Sequence, residues 1–135
     1  PGRFQRFDAR HIIDGAHNIA SVTALIDTWK DQMGRAKATI IFGCAKGKPI
    51  AEILPLLASI AERFIFTKIH SPRSESTESM SPLVSIETHT AERLVDSLSL
   101  SERFSEPVII TGSLFLAGEA IAHLTQVGTP RPTAQ

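Results

Sequence analysis

The chain of 135 residues has one cysteine, one tryptophan, no tyrosine and no net charge, since 14 Lys and Arg stand against 14 Asp and Glu. A single thiol, Cys44, closes no internal disulfide. A reducing compartment follows, and a cytoplasmic location is expected. No apolar run reaches the roughly 18 residues of a membrane span, and no signal-peptide pattern is present. The balanced charge argues against a nucleic-acid binder held by a general positive field and against an acidic disordered segment. The five histidines show neither HxH nor HExxH spacing, and Cys44 lacks a second cysteine, so no metal site is expected. The GxSxG elbow and the GxGxxG fingerprint are both missing, which weakens a hydrolase and a dinucleotide-binding reading. The chain opens on Pro1 rather than methionine, and a fragment or trimmed chain is expected.

What is present is apolar material, 42% of residues, enough for the core of one domain. It is distributed as short strands alternating with helical patterns. A hairpin over Arg3–Ile13 leads into the sheet. Residues 19–33 place Ile19, Val22, Leu25, Ile26, Trp29 and Met33 on one helix face, with Asn18 as N-cap and Gly34 as stop. Strands are expected at 39–42, 64–66, 84–86 and 108–110, and helices at 50–61, 91–104 and 113–125. Pro55 sits inside the second pattern and either weakens the case for a helix or kinks it, and 70–82 reads as a loop. The last helix is apolar nearly all round, through Leu114, Phe115, Leu116, Ala117 and Ile121, and is expected to be well buried. The pattern predicts a three-layer α/β domain of Rossmann-like type, its sheet mostly parallel with one antiparallel strand and helices on both faces. Ligands in such sheets bind beyond the carboxyl ends of the strands.

Two motifs fall there. Asp14-Gly15-Ala16-His17-Asn18 ends a strand and opens a helix, where free N–H groups and the positive helix end suit a phosphate or carboxylate. Asp14 can take ribose hydroxyls or a metal-bound water, and His17 can bond a phosphate or a carboxylate. Equally, Asp14 and Asn18 can serve only to shape the turn and cap the helix. Thr111-Gly112-Ser113 stands before the last helix, where Ser113 caps it or binds an anion. Gly43–Lys48 is not a Walker phosphate loop, since three residues rather than four separate its glycines and Pro49 follows Lys48 where a hydroxyl is needed; it reads as a solvated loop or, alternatively, as a basic loop near a nucleotide. Arg73 lies in the polar loop, and Arg3, Arg6 and Arg10 form a local positive cluster of which Arg3 is the candidate to watch.

Taken in order, Pro1-Gly2-Arg3-Phe4-Gln5, Asp14-Gly15-Ala16-His17-Asn18, Ser71-Pro72-Arg73-Ser74 and Thr111-Gly112-Ser113-Leu114-Phe115-Leu116-Ala117-Gly118-Glu119 resemble the C-terminal domain of folylpolyglutamate synthase, including the bifunctional dihydrofolate synthase form, within the Mur ligase superfamily. The resemblance covers residues 1–125 and leaves 126–135 as a flexible tail. It implies an ATP-dependent ligase that adds glutamate to folate or dihydropteroate through an acyl phosphate. ATP and Mg2+ would be bound mainly by an upstream ATPase domain over which this domain closes. A monomer is implied, with neither nucleic acid nor membrane as partner, and the isolated domain is expected not to turn over. By resemblance, Arg3 reaches the phosphates, Asp14 and Asn18 lie at the nucleotide, His17 lies near the phosphates and the glutamate, and Ser113 lies in the glutamate region. Phe115 stands where many members have tyrosine. The alternative is a stand-alone nucleotide- or anion-binding module without catalysis. A receiver-like domain fits worse, because the chain lacks the acidic cluster and the lysine such a domain needs.

Overall fold

The computed structural model describes residues 3–128. Pro1 and Gly2, and the expected tail over 129–135, lie outside the described residues. Six strands form one sheet: β1 (Gln5–Arg6), β2 (His11–Asp14), β3 (Ala38–Phe42), β4 (Ala61–Thr67), β5 (Glu87–Ala91) and β6 (Val108–Thr111). Their order is β1-β2-β6-β3-β4-β5. Only β1 runs antiparallel, pairing Gln5 with Ile13 and Arg6 with Ile12. The other four pairings are parallel, as the hairpin-then-alternation reading predicts.

Alternation along the strands divides the core in two. Ile12, Ile40, Phe42, Phe64 and Phe66 face α1 (Ile19–Met33) and α2 (Ile50–Ala58). Ile13, Ile41, Ile65, Val108 and Ile110 face α4 (Leu94–Ser101) and α5 (Leu114–Gly128). Asn18 caps α1 by accepting the Ser21 N–H at 2.8 Å, and Gly34 ends it at φ 63°. Trp29 is fully buried, and its Nε1–H donates to the Ala36 carbonyl at 2.8 Å.

Several boundaries differ from expectation. The strand expected at 84–86 lies at 87–91. Val84 and Ile86 instead pack half-buried against the first core. Glu-Thr-His-Thr-Ala makes the edge strand, because an edge needs backbone pairing more than apolar side chains. The expected loop 70–82 contains α3 (Thr77–Met80) and a 3-10 turn (Ser81–Leu83), which send Met80 into the first core. The helices expected at 50–61 and 91–104 are shorter, and β4 starts at Ala61. The last helix continues to Gly128, so 126–128 is helical rather than tail. Leu114 and Phe115 are 63% and 58% exposed, against the expected burial. They sit on the first turn of α5, and Ile19 on the first turn of α1 is likewise 41% exposed. Leu116, Ala117, Ala120 and Leu124 form the buried stripe.

Candidate functional site

The strand order decides where a cleft opens. β2 feeds α1 on one face of the sheet, whereas its neighbour β6 feeds α5 on the other. At such a switch two loops leave in opposite directions and a crevice forms between them. The loops are held mainly by backbone, with the Thr111 hydroxyl adding a bond to the Ala16 carbonyl at 3.4 Å. Gly112 N–H donates to the Ala16 carbonyl at 3.0 Å, and Gly43 N–H donates to the Thr111 carbonyl at 3.3 Å. Gly112 has φ 116°, and a Cβ there would stand 2.3 Å from the Gly43 carbonyl oxygen. Only glycine allows this approach.

Two shallow clefts meet at His17 and Leu114. One, of about 360 Å3, is lined by Arg3, Asp14, Gly15, Ala16, His17, Asn18, Ala20, Ser21 and Leu114. The other, of about 240 Å3, is lined by His17, Ala45, Lys48, Gly112, Ser113, Leu114 and Phe115. The structure therefore brings Arg3, Asp14, His17, Asn18 and Ser113 around one mouth. Asp14 is 5% exposed. Its Oδ2 accepts the Phe4 N–H and its Oδ1 the Ala16 N–H, each at 2.8 Å. Burial pushes its carboxyl above the ordinary value, and the two amides and the Arg3 charge only partly pull it back. The His17 Nδ1–H donates to the Gly15 carbonyl at 3.0 Å, which leaves Nε2 for a ligand.

Asn18 and Ser113 both act as caps. Asn18 forms a capping box with Ser21. Ser113 Oγ accepts the Phe115 N–H at 3.0 Å and the Leu116 N–H at 3.3 Å. Its hydroxyl proton is still able to donate. Two helix N-termini and the cations Arg3 and Lys48 thus border the two adjoining clefts, an arrangement suited to an anion.

The other arginines do different work. Arg10 donates to the carbonyls of Glu106 at 3.0 Å and Ser101 at 2.8 Å, and to that of Phe104, so it fastens the loop before β6. Arg6 donates to Gln32 Oε1 at 2.8 Å. Arg73 is exposed, its carbonyl accepting the Lys46 N–H at 2.7 Å, and it lines neither cleft. Of the two readings the sequence leaves open for the Gly43–Lys48 loop, solvated or near a ligand, the turn at Gly47 (φ 89°) delivers Lys48 to the second cleft. The signal for it was the glycine bracketing of the loop. Cys44 is 1% exposed, and burial pushes its thiol up to about 12.

Fold and cleft together define an open, doubly wound α/β domain with its site at a switch in strand order. Residues 2–114 match the family described as Mur ligase, glutamate ligase domain, and the chain belongs to that family. It is 24% identical over 111 residues to a dihydrofolate synthase/folylpolyglutamate synthase of Bacillus subtilis, covering 79% of this chain and 26% of that one. Escherichia coli FolC in complex with DHPP and ADP superposes with a TM-score of 0.85 at 19% identity, over 96% of this chain and 32% of that one. The bifunctional folylpolyglutamate synthase/dihydrofolate synthase with Mn, AMPPNP and L-glutamate bound gives 0.81 at 22% identity, over 92% and 31%. The chain thus spans about a quarter to a third of the length of these proteins.

Proposed function

We propose that this chain is the closing C-terminal domain of an ATP-dependent ligase that joins glutamate to the carboxylate of folate or dihydropteroate. The observation that carries the reading is the meeting of Arg3, His17, Lys48 and the starts of α1 and α5 at one exposed mouth. In the overall reaction the substrate carboxylate oxygen attacks the γ-phosphorus of ATP and ADP leaves. The glutamate amine then attacks the acyl phosphate carbon, phosphate leaves, and an amide forms as the nitrogen loses its proton. Negative charge is concentrated on phosphoryl oxygens, where Arg3 and Lys48 supply compensating charge when the domain closes. His17 Nε2 and the Ser113 hydroxyl orient the incoming glutamate, and Asp14 with Asn18 fixes the turn at the nucleotide. Closure keeps water from the acyl phosphate, and the exposed Leu114 and Phe115 provide apolar surface for contact with the upstream ATPase domain.

The resemblance also implies Mg2+. The cleft does not fit that ion: its one carboxylate, Asp14, is buried and already takes two amides. Among the described residues no group of three or more His, Cys, Asp or Glu is placed to hold a metal. In this reading the ion is held by the upstream domain, in a monomeric cytoplasmic enzyme, and the isolated domain does not turn over.

In the longer protein, Arg3→Ala and His17→Ala are each expected to lower ligase turnover by about a hundredfold, the scale of losing one charge-stabilising group. Steady-state assays with glutamate and ATP measure this, and near-normal turnover in both variants overturns the roles. Calorimetry on the isolated chain separates the alternative. Tight ATP binding without the upstream domain would favour a stand-alone nucleotide module.

A further inference from the structure

Beyond the carboxyl ends of β4 and β5 lies a second cavity of about 600 Å3, which shares no lining residue with the two clefts around His17. Its floor is apolar, with Ile69 and Leu94 6% and 4% exposed. Its rim is charged, and Arg93 is ion-paired there only through Nε, with Asp96. Lys68 and Glu92 neutralise each other at 2.7 Å. Arg93 and Glu119 are left on separate walls, one at the start of α4 and the other on α5, and they form no ion pair with each other. Arg93 uses Nε alone, 3.3 Å from Asp96 Oδ2, so its Nη groups face no protein acceptor among the described residues. Glu119 has only a long contact, 3.4 Å from the His70 N–H, and no cation beside it among the described residues. α4 also starts on Arg93 without a side-chain cap, leaving first-turn amides of Leu94 and Val95 at the cavity.

We infer that this cavity is a second small-ligand site, separate from the His17 cleft, and that it takes a free α-amino acid, whose carboxylate meets Arg93 and the α4 amides while its ammonium meets Glu119. A lone anion would satisfy Arg93 and leave Glu119 opposed. A lone amine would do the reverse. A zwitterion answers both walls at once. His70, Ser71 and His123 remain for a polar side chain, and the volume lies in the range of small-molecule sites. The inference does not depend on the ligase reading.

The 135-residue chain covers both faces of its own sheet, so amide-resolved NMR on it is the direct test. L-glutamate is titrated against glutarate, which keeps both carboxylates and lacks the amine. The expected result is movement of the Leu94, Val95 and Glu119 amides with L-glutamate, and binding about tenfold or more weaker with glutarate. Arg93→Gln and Glu119→Gln should each weaken the L-glutamate effect at the Leu94 and Val95 amides to a similar degree, with the rest of the spectrum unchanged. Equal binding of glutarate reduces the cavity to an anion site and overturns the inference. No movement at these amides, or movement confined to residues 112–116, overturns it as well. The latter result would leave the His17 cleft as the amino-acid site.

Discussion

The carboxylate of Asp14 takes the backbone N–H of Phe4 at 2.8 Å, and that bond holds the chain where Phe4 sits at φ 41°. A left-handed phenylalanine costs roughly 1–2 kcal/mol. The hydrogen bond to a charged group, with the ring packed against the first core, offsets it. The result places Arg3, the preceding residue, at the mouth that His17 borders from the following turn. A strand-end carboxylate thus joins the first loop of the chain to the start of α1.

Asp14 carries a pH dependence that can be worked out in sign. Its carboxyl is raised from the ordinary 3.8, so the folded chain holds this proton more tightly than the unfolded chain. Its contribution to stability therefore falls as pH rises from about 3.8 through the raised value. Because the Arg3 charge partly restrains the shift, Arg3→Ala should raise the Asp14 carboxyl further. Carbon-detected NMR titration of its side chain measures this, and an unchanged midpoint would show that Arg3 does not act on Asp14.

Gly112→Ala should be among the most damaging single changes. The new methyl would stand 2.3 Å from a backbone oxygen, at a φ of 116° that alanine resists. A loss of about 3 kcal/mol or more is expected, since backbone on both sides must shift. Gly118→Ala is the control. It lies in α5 with nothing within 4 Å of its new Cβ, and should gain about 0.5–1 kcal/mol. Urea denaturation of the two variants settles the comparison.

Arg63 forms the clasp at the amino end of the sheet. It is 9% exposed, lies 3.8 Å over the Phe104 ring, bonds Thr39 Oγ1 at 3.0 Å, and pairs with Glu106 and, at 3.2 Å, with Glu87. Arg63→Ala should cost about 2–3 kcal/mol, less than a fully buried pair because both glutamates reach solvent. Burial pushes the Glu106 carboxyl up, but its bonds to its own N–H, Arg63 and Thr39 outweigh that and hold it below its ordinary 4.5. Glu87 is held low by His89 and Arg63. Both therefore contribute stability that is present above about 4.5 and lost as pH falls through their lowered values. Thermal melts from pH 6 to 3 should show a shallower acid decline in Arg63→Ala than in the parent.

The thiol of Cys44, pushed up to about 12 by burial and by Glu75, should not react with a disulfide reagent at pH 8 in the folded chain. Reaction should appear only at denaturant concentrations that unfold the sheet. Rapid labelling of the native chain would contradict the packing of the Gly43–Lys48 loop.

The helix caps, the buried strands and the single antiparallel pairing were legible because each depends on near neighbours. Asn18 before the Val22–Trp29 face marks a helix start, and Ile-Ile-Phe runs mark strands. The polar edge strand over Glu87–Ala91 was not legible, because its pairing with β4 is made by backbone atoms that every residue shares. Arg63 escaped notice for a related reason. Its three polar partners lie at residues 39, 87 and 106 and meet only when the sheet is assembled.

The sequence by itself determined the layers and the order of most elements, since periodicity and turn chemistry are local. It also singled out Arg3, Asp14, His17, Asn18 and Ser113 as candidate site residues. Only the tertiary structure decided that Lys48 joins them while Arg73 does not, and that Leu114 and Phe115 face outward. It alone set Arg93 and Glu119 on separate walls of one cavity. Those outcomes depend on which strands become neighbours, and burial on both faces of the open sheet selects that arrangement for the chain as a whole.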